Sequence, residues 1–116
     1  LKGKLTKYLG KTWKGVLLTL PPIQLTLTSG KKVLVAAAEA GEPSQEYVPV
    51  TVTAVGGTVK HATAFTQAGT ISFRLNTPAR DNLMLVGQLT PDGKALVGGA
   101  RGTWGGRRAT FTWGAK

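Results

Sequence analysis

The sequence predicts an all-β domain, a small antiparallel meander closed into a barrel of about eight strands. Three observations predict it. Apolar and polar residues alternate with period two in Ile23–Thr28, Ile71–Leu75 and Ala109–Trp113. Turn signals separate such runs at spacings of about ten residues. No apolar run approaches the ~20 residues of a membrane helix.

Taken in order, the strands fall near 13–20, 23–28, 32–38, 47–55, 58–65, 69–75, 83–90, 95–101 and 108–113. Pro49 places the start of the fourth at a sheet edge or strand entry. Val33–Ala38 and Leu83–Leu89 are apolar in both registers, as for strands buried on two sides or facing a second surface. Gly30-Lys31 and Gly56-Gly57 are short enough for tight hairpins. Pro91-Asp92-Gly93 fits a type I turn followed by a glycine at positive φ. Glu39–Glu46 holds three of the five acidic residues and reads as a loop. Closure into a barrel would remove the edges that bare strands expose.

The first residues form a separate basic segment, 1–12, ahead of a single β-barrel domain, 13–116. In a short helix, Lys4, Lys7, Lys11 and Lys14 would share one face, with Leu1, Leu5, Tyr8 and Leu9 on another. Gly3 and Gly10 each weaken that helix by about 1 kcal/mol relative to Ala.

The chain of 116 residues carries 15 Lys and Arg against 5 acidic residues, a net charge of +10. That balance points to an anionic partner. The absence of cysteine excludes disulfides and thiolate metal sites. Catalysis is poorly provisioned. His61 is the only histidine, and a triad would have to recruit Ser29, Ser44 or Ser72 with Asp81 or Asp92, without a nucleophile elbow. Glu39, Glu42 and Glu46 read as a solvated loop rather than a glycosidase pair. No cofactor or metal is expected.

Two cationic surfaces are candidates. Lys2, Lys4, Lys7, Lys11 and Lys14 form the first, a docking segment for an acidic protein assembly or an anionic membrane surface. Arg101, Trp104, Arg107, Arg108 and Trp113 form the second. Interleaved Arg and aromatic side chains can track a nucleic-acid strand, or stack structurally as cation–π pairs. Nucleic acid is the weaker reading, because neither a recognition helix nor zinc spacing is present. A third possibility is a carrier with an apolar small molecule in the lumen. Ala36, Ala37, Ala38, Ala62 and Ala64 either leave such a cavity or let a narrow barrel close.

Trp13-Lys14-Gly15-Val16-Leu17 at the start has a counterpart near the end: Gly87 and Leu89, then Asp92-Gly93, Leu96, Gly98 and Trp104. This pattern resembles the small lipocalin-like β-barrel that precedes the α/β-hydrolase domain in some exported bacterial serine hydrolases. The final Trp arrives later than in that pattern. The resemblance implies a closed barrel, with Arg108 packed across Trp13, in an extracytoplasmic setting, periplasmic or secreted. The hydrolase residues of such proteins lie in the following domain, so no functional residue is carried over. A removed leader or an excised fragment would each explain a chain opening on Leu1. The expected function is therefore a non-catalytic accessory or scaffolding module.

Overall fold

In the computed structural model, residues 3–36, 41, 45–60, 63–66 and 69–116 are described. His61, Ser44, Glu39, Glu42, Ala37, Ala38 and Ala62 lie outside them, as do Leu1 and Lys2. One helical turn, Gly3–Thr6, precedes ten strands. These are β1 (Thr12–Leu17), β2 (Ile23–Ser29), β3 (Leu34–Ala36), β4 (Gln45–Ala54), β5 (Thr58–Val59), β6 (Thr63–Thr66), β7 (Thr70–Asn76), β8 (Asn82–Leu89), β9 (Leu96–Trp104) and β10 (Arg107–Ala115).

All ladders are antiparallel, in the order β3-β4-β2-β1-β10-β9-β8-β7-β5, with β6 also on β4. The sheet forms an open, strongly curled half-barrel. The expected closed meander is corrected at this point: among the described residues no ladder joins β6 to β7. The run expected as one strand over 58–65 divides because its halves serve different partners. Thr58-Val59 pairs with β7, and Thr63–Thr66 pairs with β4. Two expected hairpins are absent for a related reason. After Gly30-Lys31 the chain pairs with β4 rather than returning to β2, and after Gly56-Gly57 it pairs with β7 rather than β4.

Period-two patterning sets the faces. Ile23, Leu25 and Leu27 of β2, and Ile71, Phe73 and Leu75 of β7, point into the concave side and are buried. The doubly apolar run of β8 resolves into Leu83 and Leu85 inward, with Met84 and Val86 outward. β3 is exposed along its length. Leu17, Leu27, Phe65, Leu75, Leu85 and Leu96 are fully buried, so the concave side is filled by its own side chains. Pro49 sits within β4, and its carbonyl accepts the Gly30 N–H at 2.8 Å. Its missing N–H therefore faces the gap between β2 and β3. The turn at 90–95 forms as expected, with Gly93 at φ 75° and its N–H on the Thr90 carbonyl.

The first and last strands pair. Gly15, Val16 and Leu17 oppose Ala115, Gly114 and Trp113. A Cβ on Gly15 would stand 1.8 Å from the Gly114 carbonyl oxygen, so only glycine permits this approach. Trp113 lies over Gly87 and Gly98, where added Cβ atoms would stand 2.4 and 2.8 Å from its ring. Its Nε1–H donates to the Val86 carbonyl at 3.2 Å. Trp13 is buried and meets Phe65 edge-on at 5.4 Å.

The N-terminal helix is a single turn that ends at Thr6; a turn then carries the chain through Gly10, φ 65°, into β1. The expected lysine face over Lys4–Lys14 therefore does not form. Leu5 and Tyr8 instead join the core, with Tyr8 stacked on Phe65 at 4.3 Å. The buried Ser29 hydroxyl donates to the Tyr8 carbonyl and accepts the Lys11 N–H at 2.9 Å. The segment thus plugs one end of the half-barrel.

Trp13→Ala should cost about 3–5 kcal/mol in denaturant unfolding. Gly15→Ala should exceed the ordinary cost of about 1 kcal/mol for a point change. Gly99→Ala should be mild, because its Cβ would find nothing nearer than 3.7 Å. Burial pushes the Tyr8 phenol above its usual pKa. The folded state therefore favours the protonated phenol. The stability this represents is present at neutral pH and falls as pH rises past the unfolded value of about 10. Tyr8→Phe should flatten that alkaline loss in pH-dependent unfolding curves.

Candidate functional site

Both faces of the sheet are fixed by the core. A residue beside an inward one points out, and cross-strand partners share a face. On β9, Ala100 is buried, so Arg101 and Thr103 face outward. On β10 the outward set includes Arg108 and Thr110, opposite Thr103 and Arg101. On β7, Arg74 lies between the buried Phe73 and Leu75 and is half-exposed. The register then builds two outward rows: Arg74, Met84, Arg101 and Thr110, then Asn76, Asn82, Thr103 and Arg108. Arg101, Thr103, Arg108 and Thr110 line one open surface groove. The Arg74 guanidinium reaches the Asn82 side-chain oxygen at 3.5 Å.

The two remaining arginines stand at the same end of the sheet. Arg80 lies in the turn between β7 and β8, with φ 64°. Arg107 follows Gly105-Gly106, whose φ values of 62° and 80° suit a two-residue hairpin. Asp81 ties these turns together. Its carboxylate accepts the Gly105 N–H at 2.8 Å and the Thr77 hydroxyl at 3.0 Å. All five arginines of the chain therefore gather at one end of the sheet, with Arg74, Arg101 and Arg108 on its outer face. Lys60 joins them, its N–H on the Arg74 carbonyl at 3.2 Å.

Lys7, Lys11, Lys14, Lys31, Lys32, Lys94 and Lys116 take the opposite end. Lys14 and Lys116 exchange two backbone hydrogen bonds, and Lys94 lies in the turn that leads into Leu96, the partner of Ala115. Lys31 and Lys32 follow Gly30, whose carbonyl accepts the Gly10 N–H at 2.9 Å. Lys7, Lys11 and Lys14 of the predicted docking segment are exposed, and Lys7 stands 5.5 Å from the centre of the Tyr8 ring. Lys4 belongs to the first helical turn, and Lys2 lies outside the described residues. Across β10 the two cationic ends are about 30 Å apart.

The same period-two rule divides the expected interleaving of arginine with tryptophan: Arg107 lies opposite Trp104, in register with the inner-facing residues. Trp113 is buried on the inner face, and Trp104 is half-buried against Phe111 at 5.7 Å. Arg101 and Arg108 are on the outer face. The predicted packing of Arg108 over Trp13 is also absent, because β1 meets β10 only at its far end, from Trp113 onward. Sequence reading missed Arg74 and Arg80, which only strand register and the Asp81 link bring to the others.

The residues weighed for a catalytic triad are dispersed. Ser29 is held in the N-terminal clamp, Ser72 is exposed on β7, and Asp81 and Asp92 stand at opposite ends of β8. Asp92 accepts the Thr90 hydroxyl and the Lys94 N–H, in that order of effect, and both hold its carboxyl below the usual range. No ion pair forms among the described residues. No group of His, Asp or Glu suited to a metal is found among them.

No protein-family model matches the chain, and no curated protein or solved structure is significantly similar to it.

Asp81→Ala should release the β9–β10 turn. We expect a loss of about 1–3 kcal/mol, as for other hydrogen bonds to charged groups, with faster amide exchange at Gly105 by NMR.

Proposed function

We propose that the chain is a non-catalytic accessory module. Its rigid half-barrel docks, through clustered cations, onto an acidic protein assembly or an anionic membrane surface. The supporting observation is the gathering of all five arginines at one end of the sheet, three of them on its outer face. The nearby carboxylate, Asp81, is meanwhile occupied by backbone and hydroxyl donors. Guanidinium groups so presented are hydrated weakly and pair bidentately with oxyanions. The exposed Lys7, Lys11 and Lys14 supply a second, more diffuse cationic end.

The other readings find less support. A lumen carrier needs space where Leu17, Leu85, Leu96 and Phe65 are packed. Stacking on nucleic-acid bases needs exposed rings, and Trp113 is buried. An extracytoplasmic bacterial setting, as in lipocalin-like modules, accords with the Asp92-Gly93 hairpin and the Trp13-to-Leu17 opening strand.

Two charge-matched variants test the docking face: Arg101→Gln/Arg107→Gln/Arg108→Gln, and Lys7→Gln/Lys11→Gln/Lys14→Gln. Each removes the same net charge. Binding to soluble polyglutamate, measured by calorimetry near physiological salt, should fall much further for the arginine variant. Equal losses would attribute binding to net charge alone and overturn the reading.

A further inference from the structure

The outer face holds more than cations. Next to the row of Arg74, Met84, Arg101 and Thr110 lies a row of Ser72, Val86, Gly99 and Thr112. The Thr112 carbonyl accepts the Leu18 N–H at 3.0 Å, which extends this row to Leu18. The next row contains Gln88, Val97, Gly114 and Val16. Val86, Val97 and Leu18 are 47, 53 and 56% exposed, although each adjoins a well-ordered ladder. Gly99 and Gly114 leave bare backbone between them. Val86 on β8, Val97 on β9 and Leu18 beyond the end of β1 thus form an apolar patch, with Thr112 and Gly114 of β10 between them. Arginines flank it toward one end, and Lys14, Lys94 and Lys116 toward the other.

Few partners match both features. A second copy of the chain would bring another net charge of +10 against the first. A nucleic-acid strand would leave the valines and Leu18 facing a polar backbone. A phospholipid interface accommodates both, with phosphates taking the guanidinium groups and the acyl boundary taking the apolar side chains.

We propose that this outer face docks onto an anionic phospholipid surface. Arg74, Arg101 and Arg108 engage headgroup phosphates, while Val86, Val97 and Leu18 enter the interface. The inference rests on the reading that the module binds an anionic partner through its arginines, and it assigns that partner.

Vesicles of phosphatidylcholine with phosphatidylglycerol, and of phosphatidylcholine alone, provide the test by co-sedimentation of the full chain. Binding should require phosphatidylglycerol. It should fall about fivefold for each of Arg101→Gln and Arg108→Gln, the effect of one basic side chain near an anionic surface. Val86→Ser/Val97→Ser should weaken it further at raised salt, where the apolar contribution dominates. The chain contains no cysteine, so Val86→Cys accepts a single environment-sensitive dye. Its emission should shift to the blue on vesicles, whereas a dye at Thr51→Cys, exposed on β4, should not shift. Circular dichroism of each variant checks that the sheet is retained.

Arginine-dependent binding to polyglutamate without binding to vesicles would overturn the lipid assignment and leave the docking module standing. Vesicle binding that ignores the arginine changes, or equal dye shifts at both positions, would also overturn it. Failure to bind either probe would overturn both readings.

Discussion

The close approach of β1 to β10 at Gly15 holds the architecture together. On one side of this seam lie β2, β4, β3 and β6; on the other lie β9, β8, β7 and β5. The seam has three paired positions, extended by the reciprocal bonds of Lys14 with Lys116 and by the Leu18 N–H on the Thr112 carbonyl. A side chain at Gly15 would collide with backbone rather than with a movable side chain, so the site cannot relax cheaply. Trp113 reinforces the region from the inner face. It fills the space left by Gly87 and Gly98, meets Phe73 at 5.7 Å and anchors its indole N–H on β8. Glycine and tryptophan act there as one packing unit.

Much of this was legible locally. Alternation placed β2, β7 and β10 and assigned their inner faces. The Pro91-Asp92-Gly93 turn follows from residue chemistry alone, and the pairing of first and last strands follows from the expected closure. Partner choice was not legible. Thr58-Val59 and Thr63–Thr66 have the local pattern of one strand, yet they pair with β7 and β4. A period-two pattern specifies a face without specifying a neighbour. The N-terminal lysines share a helical face only on a helical wheel, and the helix ends at Thr6, before Lys7.

The candidate site shows the same limit. Arg101, Arg107 and Arg108 are close in sequence to Trp104 and Trp113, which suggested one mixed surface. The sheet sorts them by parity, sending the indole of Trp113 to the core and the guanidinium groups of Arg101 and Arg108 to solvent. Arg74 and Arg80 look unremarkable in sequence. They enter the cluster through the β7–β8–β9 register and the bond from Gly105 to Asp81. A pleated sheet with a filled core is therefore a means of separating apolar packing from charge. It fixes the spacing of cations that would otherwise sample many arrangements, which lowers the ordering cost of docking.

The claim that the arginines act as one surface is tested most directly by NMR. Arginine Nε–Hε and backbone amide signals would be followed as nanodiscs containing phosphatidylglycerol are added. The account predicts that Arg74, Arg101 and Arg108, with the amides of Val86 and Val97, broaden together while β2 is unchanged. Perturbation centred instead on Lys7, Lys11 and Lys14, or spread evenly over the sheet, would contradict it.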